Sequence, residues 1–100
     1  MKFFVVIIHY KIPVSLIEQI RLAHREFLQE GYRAGKFLIS GPRSSGMGGV
    51  VLSKSNTLEE LIEYFNNDPY KLKDATGYEF IEFIPGSWHP YIDRWIKPEK

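Results

Sequence analysis

The fold prediction starts from FFVVIIHY, residues Phe3–Tyr10. This stretch is short and rich in β-branched and aromatic residues, which is typical of a β-strand. Both faces of this strand are apolar, because successive side chains point to opposite sides. One face carries Phe3, Val5 and Ile7, and the other carries Phe4, Val6 and Ile8. We therefore expect the strand to be covered on both sides.

A helix and a pair of strands follow. Ser15–Glu18 matches the capping-box pattern of a helix start, and we predict one helix from there to about Tyr32. Its apolar residues lie at helical spacing in one stripe: Leu16, Ile17, Ile20, Ala23, Phe27 and Leu28. The apolar segments Lys36–Ser40 and Val50–Ser53, joined by a glycine-rich connection, predict a β-hairpin.

The second half of the chain contains another helix and a last strand. Thr57–Glu60 is a second capping box, and the apolar spacing behind it predicts an amphipathic helix. This helix ends before Pro69, because the residue that precedes a proline disfavours the helical conformation. Tyr78–Ile84 is the last predicted strand. We expect the aromatic tail, residues 86–100, to cap the sheet edge or to cross to a partner subunit.

These elements predict an α+β fold of the ferredoxin-like βαββαβ type, with two helices on one face of a four-stranded antiparallel sheet. A length of 100 residues predicts a single domain, residues 1–100. The second face of the sheet would be apolar and uncovered, which is unusual for a monomer. We therefore predict a homodimer that packs sheet to sheet, and assembly above a dimer stays open.

The composition argues against several classes of protein. The chain has no cysteine, which excludes a disulfide framework and a thiolate nucleophile. The net charge is +1 and the basic residues are scattered, so we expect no nucleic-acid partner. No segment approaches the roughly 20 apolar residues that span a bilayer, and we predict a cytoplasmic protein without a membrane partner. The histidines His9, His24 and His89 lack metal-ligand spacing, and we predict no metal and no cofactor.

His24 and Asp68 are the main candidates for chemistry. His24 falls within the apolar stripe of the first helix, so it should face the sheet, either as a core histidine or as an acid–base group near neutral pH. Asp68 precedes Pro69 and can cap a following helical turn. The same carboxylate can orient the His24 imidazole and increase its basicity, and both roles are compatible.

The turn Ser40-Gly41-Pro42 is the third candidate. It can simply end a strand, because proline cannot continue the hydrogen-bonded ladder. It can also place a hydroxyl group and nearby amides at the rim of a pocket. In that case Arg43 would be a natural counter-ion for an anionic ligand.

Four short motifs together resemble the YCII-related (YciI-like) family of the dimeric α+β barrel superfamily, over roughly residues 2–85. They are His24 followed by Phe27-Leu28, Ser40-Gly41-Pro42, Gly48-Gly49 and Asp68-Pro69-Tyr70. The resemblance implies that His24 and Asp68 form an active-site pair and that Ser40-Gly41-Pro42 lines the same cleft. Tyr70 stands where the family commonly has phenylalanine, which adds a hydroxyl near the site. Some relatives resemble lyases or dehydrochlorinases, and the superfamily includes isomerases and cofactor-independent monooxygenases.

The leading hypothesis is a small, cofactor-free enzyme that acts on a small anionic or aromatic metabolite. His24 would be the general acid and base, held by Asp68, in an elimination or isomerisation. The substrate would contact Ser40, Gly41, Pro42, Arg43 and Tyr70. One alternative is a dimer that binds or senses a small ligand without chemistry. The other is a purely structural dimer in which Asp68 is only a helix cap.

Overall fold

A single sheet of four antiparallel strands organises the structure, a computed structural model that describes residues 1–98. The strands are β1 (Lys2–Tyr10), β2 (Phe37–Pro42), β3 (Gly48–Ser55) and β4 (Thr76–Phe83). Their spatial order is β2-β3-β1-β4, so β1 is paired along both edges. One apolar face of β1 lies beneath the helices, and the other belongs to the second face of the sheet. The last two residues of the predicted tail, 99 and 100, lie outside the described residues.

Two longer helices, α2 (Arg21–Arg33) and α3 (Leu58–Phe65), pack on one face of the sheet. The described residues also form three short α-helices, α1 (Val14–Ile17), α4 (Pro69–Leu72) and α5 (Asp93–Ile96), and one 3-10 turn, Pro90–Ile92. The order of strands and helices is βαββαβ, which confirms the predicted ferredoxin-like α+β fold.

The core lies between β1 and the two longer helices. Phe4, Val6 and Ile8 project from β1 and meet Leu61 and Phe65 of α3, and all five side chains are buried. Burial of each such side chain contributes about 1.5–3 kcal/mol to folding. The apolar residues predicted at helical spacing in α3 therefore include the ones that contact the sheet. The predicted cap of α3 is also present, because Thr57 Oγ1 accepts a hydrogen bond from the Glu60 amide.

The predicted first helix is wrong in one respect, because it is two helices separated by residues 18–20. Ser15 does not cap it: α1 begins after Pro13 and has no side-chain cap. The amides of residues 19 and 20 donate to carbonyls three residues earlier, a tighter winding than that of an α-helix. This change of phase leaves Leu16 and Ala23 exposed, although both belong to the predicted apolar stripe. Ile17 and His24 are buried, as predicted.

The second face of the sheet is apolar and only partly covered. At one corner the Trp95 ring packs edge-on against Phe3, with ring centroids 5.5 Å apart. The Trp95 indole donates to the Gly35 carbonyl at 3.0 Å, which holds the tail on its own sheet. Elsewhere on this face Ile39 and Ile81 remain 63% and 44% exposed. The aromatic tail therefore covers one end of the face and leaves the rest open.

A tight contact between α2 and β2 generates a stability prediction. A Cβ atom added at Gly31 would lie 2.2 Å from two ring carbons of the buried Phe37. We expect Gly31→Ala to destabilise the protein by about 1–3 kcal/mol, because the ring must move inside a packed core. The loss should appear even though alanine favours a helix by about 1 kcal/mol over glycine. Urea unfolding measures it, with the exposed neighbour Glu30→Ala as control. A Gly31→Ala variant as stable as wild type would contradict this packing.

Candidate active site

His24 of α2 and Asp68, the residue before α4, form a direct hydrogen bond although 44 residues separate them. The distance from His24 Nδ1 to Asp68 Oδ1 is 2.7 Å. The carboxylate is completely buried, and the histidine is 8% exposed. Because a carboxylate can only accept, Nδ1–H of the imidazole is the donor. In the neutral ring this leaves Nε2 unprotonated and free to accept a proton.

The Asp68 carboxylate accepts two further hydrogen bonds. Its Oδ1 accepts from the Tyr70 amide at 3.1 Å, so Asp68 is the N-cap of α4 with Pro69 in the first helical position. Its Oδ2 accepts from the Tyr78 hydroxyl at 2.7 Å. Three donors thus stabilise a charge that would be costly to bury alone. Both interpretations of Asp68 from the sequence, as a helix cap and as a partner of His24, describe contacts that exist.

Tyr78 is a member of this network that the sequence analysis missed. It lies on β4 opposite Ile8, so strand alternation places it on the helix-facing side of the sheet. Thr76 Oγ1 donates to the Tyr78 hydroxyl at 2.9 Å. Burial, and then the negative charge of Asp68, raise the pKa of Tyr78 well above its ordinary value. The phenol therefore keeps its proton and remains a donor to Asp68.

A cleft of about 630 Å³ opens in front of His24, between α2 and the β2–β3 hairpin. Five of the predicted site residues line it: His24, Ser40, Gly41, Pro42 and Tyr70. Asp68 stands behind His24 and does not line the cleft. Within residues 1–98, Ser53 Oγ is the one buried side-chain nitrogen or oxygen without a hydrogen-bond partner. His24 Nε2 also forms no hydrogen bond with the described residues, but it is not such a buried atom, so it is open to the cleft. It is therefore the ring nitrogen available to a ligand.

Arg43, the counter-ion expected from the sequence, is not among the residues that line the cleft. It follows Pro42, and successive side chains of a strand point to opposite faces. Its guanidinium lies 3.3 Å from His9 Nδ1, at the far side of the sheet. Two arginines of α2, Arg21 and Arg25, line the cleft instead. The sequence analysis did not single them out, although Arg21 lies three residues before His24 on the predicted helix and so on a neighbouring part of its surface.

Aromatic rings and hydroxyl groups shape the two ends of the cleft. The Tyr70 ring stacks on the His24 imidazole, with centroids 3.9 Å apart and planes 13° apart. Tyr10 meets Tyr70 edge to face at 6.0 Å. Burial raises the pKa of Tyr70, and the nearby Arg21 guanidinium offsets part of that shift. At the other end the hydroxyls of Tyr32 and Ser40 are hydrogen-bonded to each other.

Two further observations concern metal binding and membrane insertion. In the described part of the chain, no three His, Cys, Asp or Glu side chains gather so that they could hold a metal ion. Among the same residues, no helix has both the length and the apolar character that a membrane span requires.

Comparison with known proteins identifies both a sequence family and a similar structure. A family model, the YCII-related domain, matches residues 3–84. A search of curated proteins found no matching sequence. Among solved structures, one similar fold is that of 5-chloro-2-hydroxyhydroquinone dehydrochlorinase from Burkholderia phenoliruptrix AC1100, in complex with 2,5-dihydroxybenzoquinone. The match has a TM-score of 0.66 at 15% sequence identity and covers 83% of this chain and 92% of that one.

The Tyr78–Asp68 contact generates a second stability prediction. We expect Tyr78→Phe to cost about 1.5–3 kcal/mol at pH 7, because it removes a donor from a buried charge. Tyr78 has a raised pKa in the folded state, so its contribution is complete below the unfolded value of about 10. The difference from Tyr78→Phe should therefore shrink above about pH 10. Urea unfolding at several pH values measures it. Tyr91→Phe, at a position 92% exposed, is the control, and equal losses in both variants would refute the network.

Proposed function

The chain belongs to the YCII-related family, and from this premise we propose that it is a small enzyme in which His24 exchanges protons with a small anionic or aromatic metabolite. The observation that carries the proposal is the 2.7 Å bond between His24 and Asp68, with Nε2 of the same ring available to the cleft. A positioned imidazole of this kind contributes about 10²–10⁴-fold to a rate through general acid–base catalysis.

In this proposal Asp68 positions His24 and does not react with the substrate. Its three donors hold the carboxylate in place, and its bond to Nδ1 selects the tautomer in which Nε2 accepts a proton. When Nε2 is protonated, the adjacent negative charge stabilises the imidazolium. The stacked Tyr70 ring restricts the imidazole to one plane. The pair can therefore take a proton and return it without a cofactor.

Elimination or isomerisation is the reaction class that we propose, because each begins when a base takes a proton from carbon. In an elimination the C–H electron pair forms a C=C bond while the leaving group departs with its own bonding pair, and in an isomerisation the protonated base returns the proton to a different carbon. The structurally similar protein is a dehydrochlorinase, which supports an elimination on a small ring compound. The substrate would lie along the cleft in contact with Ser40, Gly41, Pro42 and Tyr70. The apolar lining from Ile8, Leu28 and Val51 suits an aromatic ring.

We further propose that the protein is a homodimer that buries the open face of its sheet. That face carries apolar side chains from all four strands, with Ile39, Ile81 and Phe83 exposed. A contiguous apolar face of this kind favours a self-complementary interface with a second copy. The cleft lies on the opposite, helix-covered side, so dimerisation would leave it accessible.

The catalytic role of His24 can be tested by chloride release from 5-chloro-2-hydroxyhydroquinone. If wild type turns this compound over, His24→Gln should lower kcat about 10²–10⁴-fold, because glutamine cannot exchange the proton. Asp68→Asn should lower kcat less, since the imidazole is retained. The matched control is His89→Gln, which changes an exposed histidine of the tail. Full turnover by His24→Gln would refute the role, and tight binding without turnover by wild type would favour the ligand-binding alternative.

The oligomeric state can be tested by light scattering at micromolar concentration. We expect twice the chain mass of 11.7 kDa for wild type. Ile81→Glu should shift the protein to a monomer, because it places a charge on the apolar face. Leu22→Glu, at a position of α2 that is 73% exposed, makes the same kind of change away from this face and should remain dimeric. A wild-type mass of 11.7 kDa would overturn the dimer.

A further inference from the structure

The charge and polarity of the residues that line the cleft change along its length. Arg21, His24, Leu28 and Tyr32 follow one another at three- or four-residue spacing on α2, and all line the cleft. At 1.5 Å per residue, Arg21 and Tyr32 are about 16 Å apart along the helix axis. The Arg21 end is cationic, the middle at Leu28 is apolar, and the Tyr32 end is neutral and hydroxylated. A ligand with one charged end would therefore bind in one orientation.

Arg21 is the cation nearest to His24 along this stripe. Residues three apart on a helix are neighbours, with about 5–6 Å between their Cβ atoms. Tyr70 lines the same part of the cleft as these two side chains, and its ring stacks on the imidazole. Tyr10 meets the Tyr70 ring edge to face and lines the cleft together with Arg21. The guanidinium and two phenols thus converge next to the acid–base group.

The protonation states of these groups suit an anionic partner. Hydrogen bonding to the Tyr70 hydroxyl raises the pKa of Arg21 above its ordinary value, so the guanidinium stays charged. Burial raises the pKa of Tyr70, which keeps its proton. The Arg21 guanidinium carries five N–H donors, and each of the two phenols carries one O–H donor. Three donors can therefore meet one oxyanion.

The positive charge of Arg21 is not cancelled locally. Glu18 is the single acid among the described residues that line the cleft. Its Oε2 lies 3.9 Å from Arg21 Nη1, and the two side chains are 61% and 34% exposed. An exposed pair at that distance is weak and is screened by water. Arg25 adds a second positive charge to the same wall of the cleft.

We propose that Arg21, together with the hydroxyls of Tyr10 and Tyr70, forms an oxyanion subsite beside His24, and that the substrate is a small carboxylic acid or an acidic enol. This inference rests on the proposed role of His24 and adds the substrate class. When Nε2 takes a proton from a carbon next to a carbonyl group, the C–H bond breaks and an N–H bond forms. The electron pair becomes a C=C bond, and the carbonyl oxygen gains the negative charge. Donors already in place at that oxygen stabilise the charge.

Benzoate and its neutral analogue benzamide test the subsite by NMR titration, without any turnover. Wild type should bind benzoate about tenfold or more tightly than benzamide, with the largest shifts at Tyr10, His24 and Tyr70. Arg21→Met should weaken benzoate binding about tenfold or more and leave benzamide unchanged, whereas Arg21→Lys should retain part of the affinity. Arg33→Met, an exposed arginine of the same helix that does not line the cleft, is the matched control. Equal binding of the two probes by wild type, or undiminished benzoate binding by Arg21→Met, overturns the subsite.

Failure of the subsite and failure of the proposed enzyme give different results. Benzoate binding that is lost in Arg21→Met and kept in His24→Gln supports the subsite, even if no compound is turned over and the acid–base role is rejected. Turnover that depends on His24, together with benzoate binding that does not depend on Arg21, overturns the subsite and leaves the acid–base role standing.

Discussion

The buried carboxylate of Asp68 is the constraint on which the site depends. An unpaired charge in a protein interior costs several kcal/mol, so a completely buried aspartate must find donors on every side. Here the donors come from three different elements: His24 of α2, the Tyr70 amide of α4 and the Tyr78 hydroxyl of β4. Satisfying this one group therefore fixes the positions of two helices and a strand relative to each other.

The same contacts arrange the proposed acid–base group. Because Asp68 occupies Nδ1 of His24, the other ring nitrogen is directed to the cleft in the form that accepts a proton. Tyr70 contributes its amide to Asp68 and its ring to His24. Tyr70 thus contacts both members of the proposed active-site pair. Stability and the proposed reactivity share one set of hydrogen bonds.

The central strand β1 divides the molecule into two sides with different tasks. Its inner side chains, Phe4, Val6 and Ile8, build the core beneath the helices, and Ile8 reaches the floor of the cleft. Its outer side chains belong to the sheet face that Trp95 covers at one corner. The predicted site residue Arg43 lies on the outer side because of strand alternation, and Arg21 occupies the cleft in its place. Neighbouring residues of a strand therefore belong to different surfaces, one on the cleft side of the sheet and one on the outer side.

The order of elements, the two apolar faces of β1 and the cap at Asp68 can be derived from the sequence alone, because they follow from the spacing of apolar residues and from side chains that contact their own neighbours. It also identified His24 as a residue that faces the sheet. The folded structure was needed to show which arginine lines the cleft, that Tyr78 donates to Asp68, and that α2 begins at Arg21. These features depend on the phase of a helix after an irregular turn and on contacts between residues far apart in the chain. Local sequence preferences do not determine such contacts, because the contacts form only when distant parts of the chain pack together.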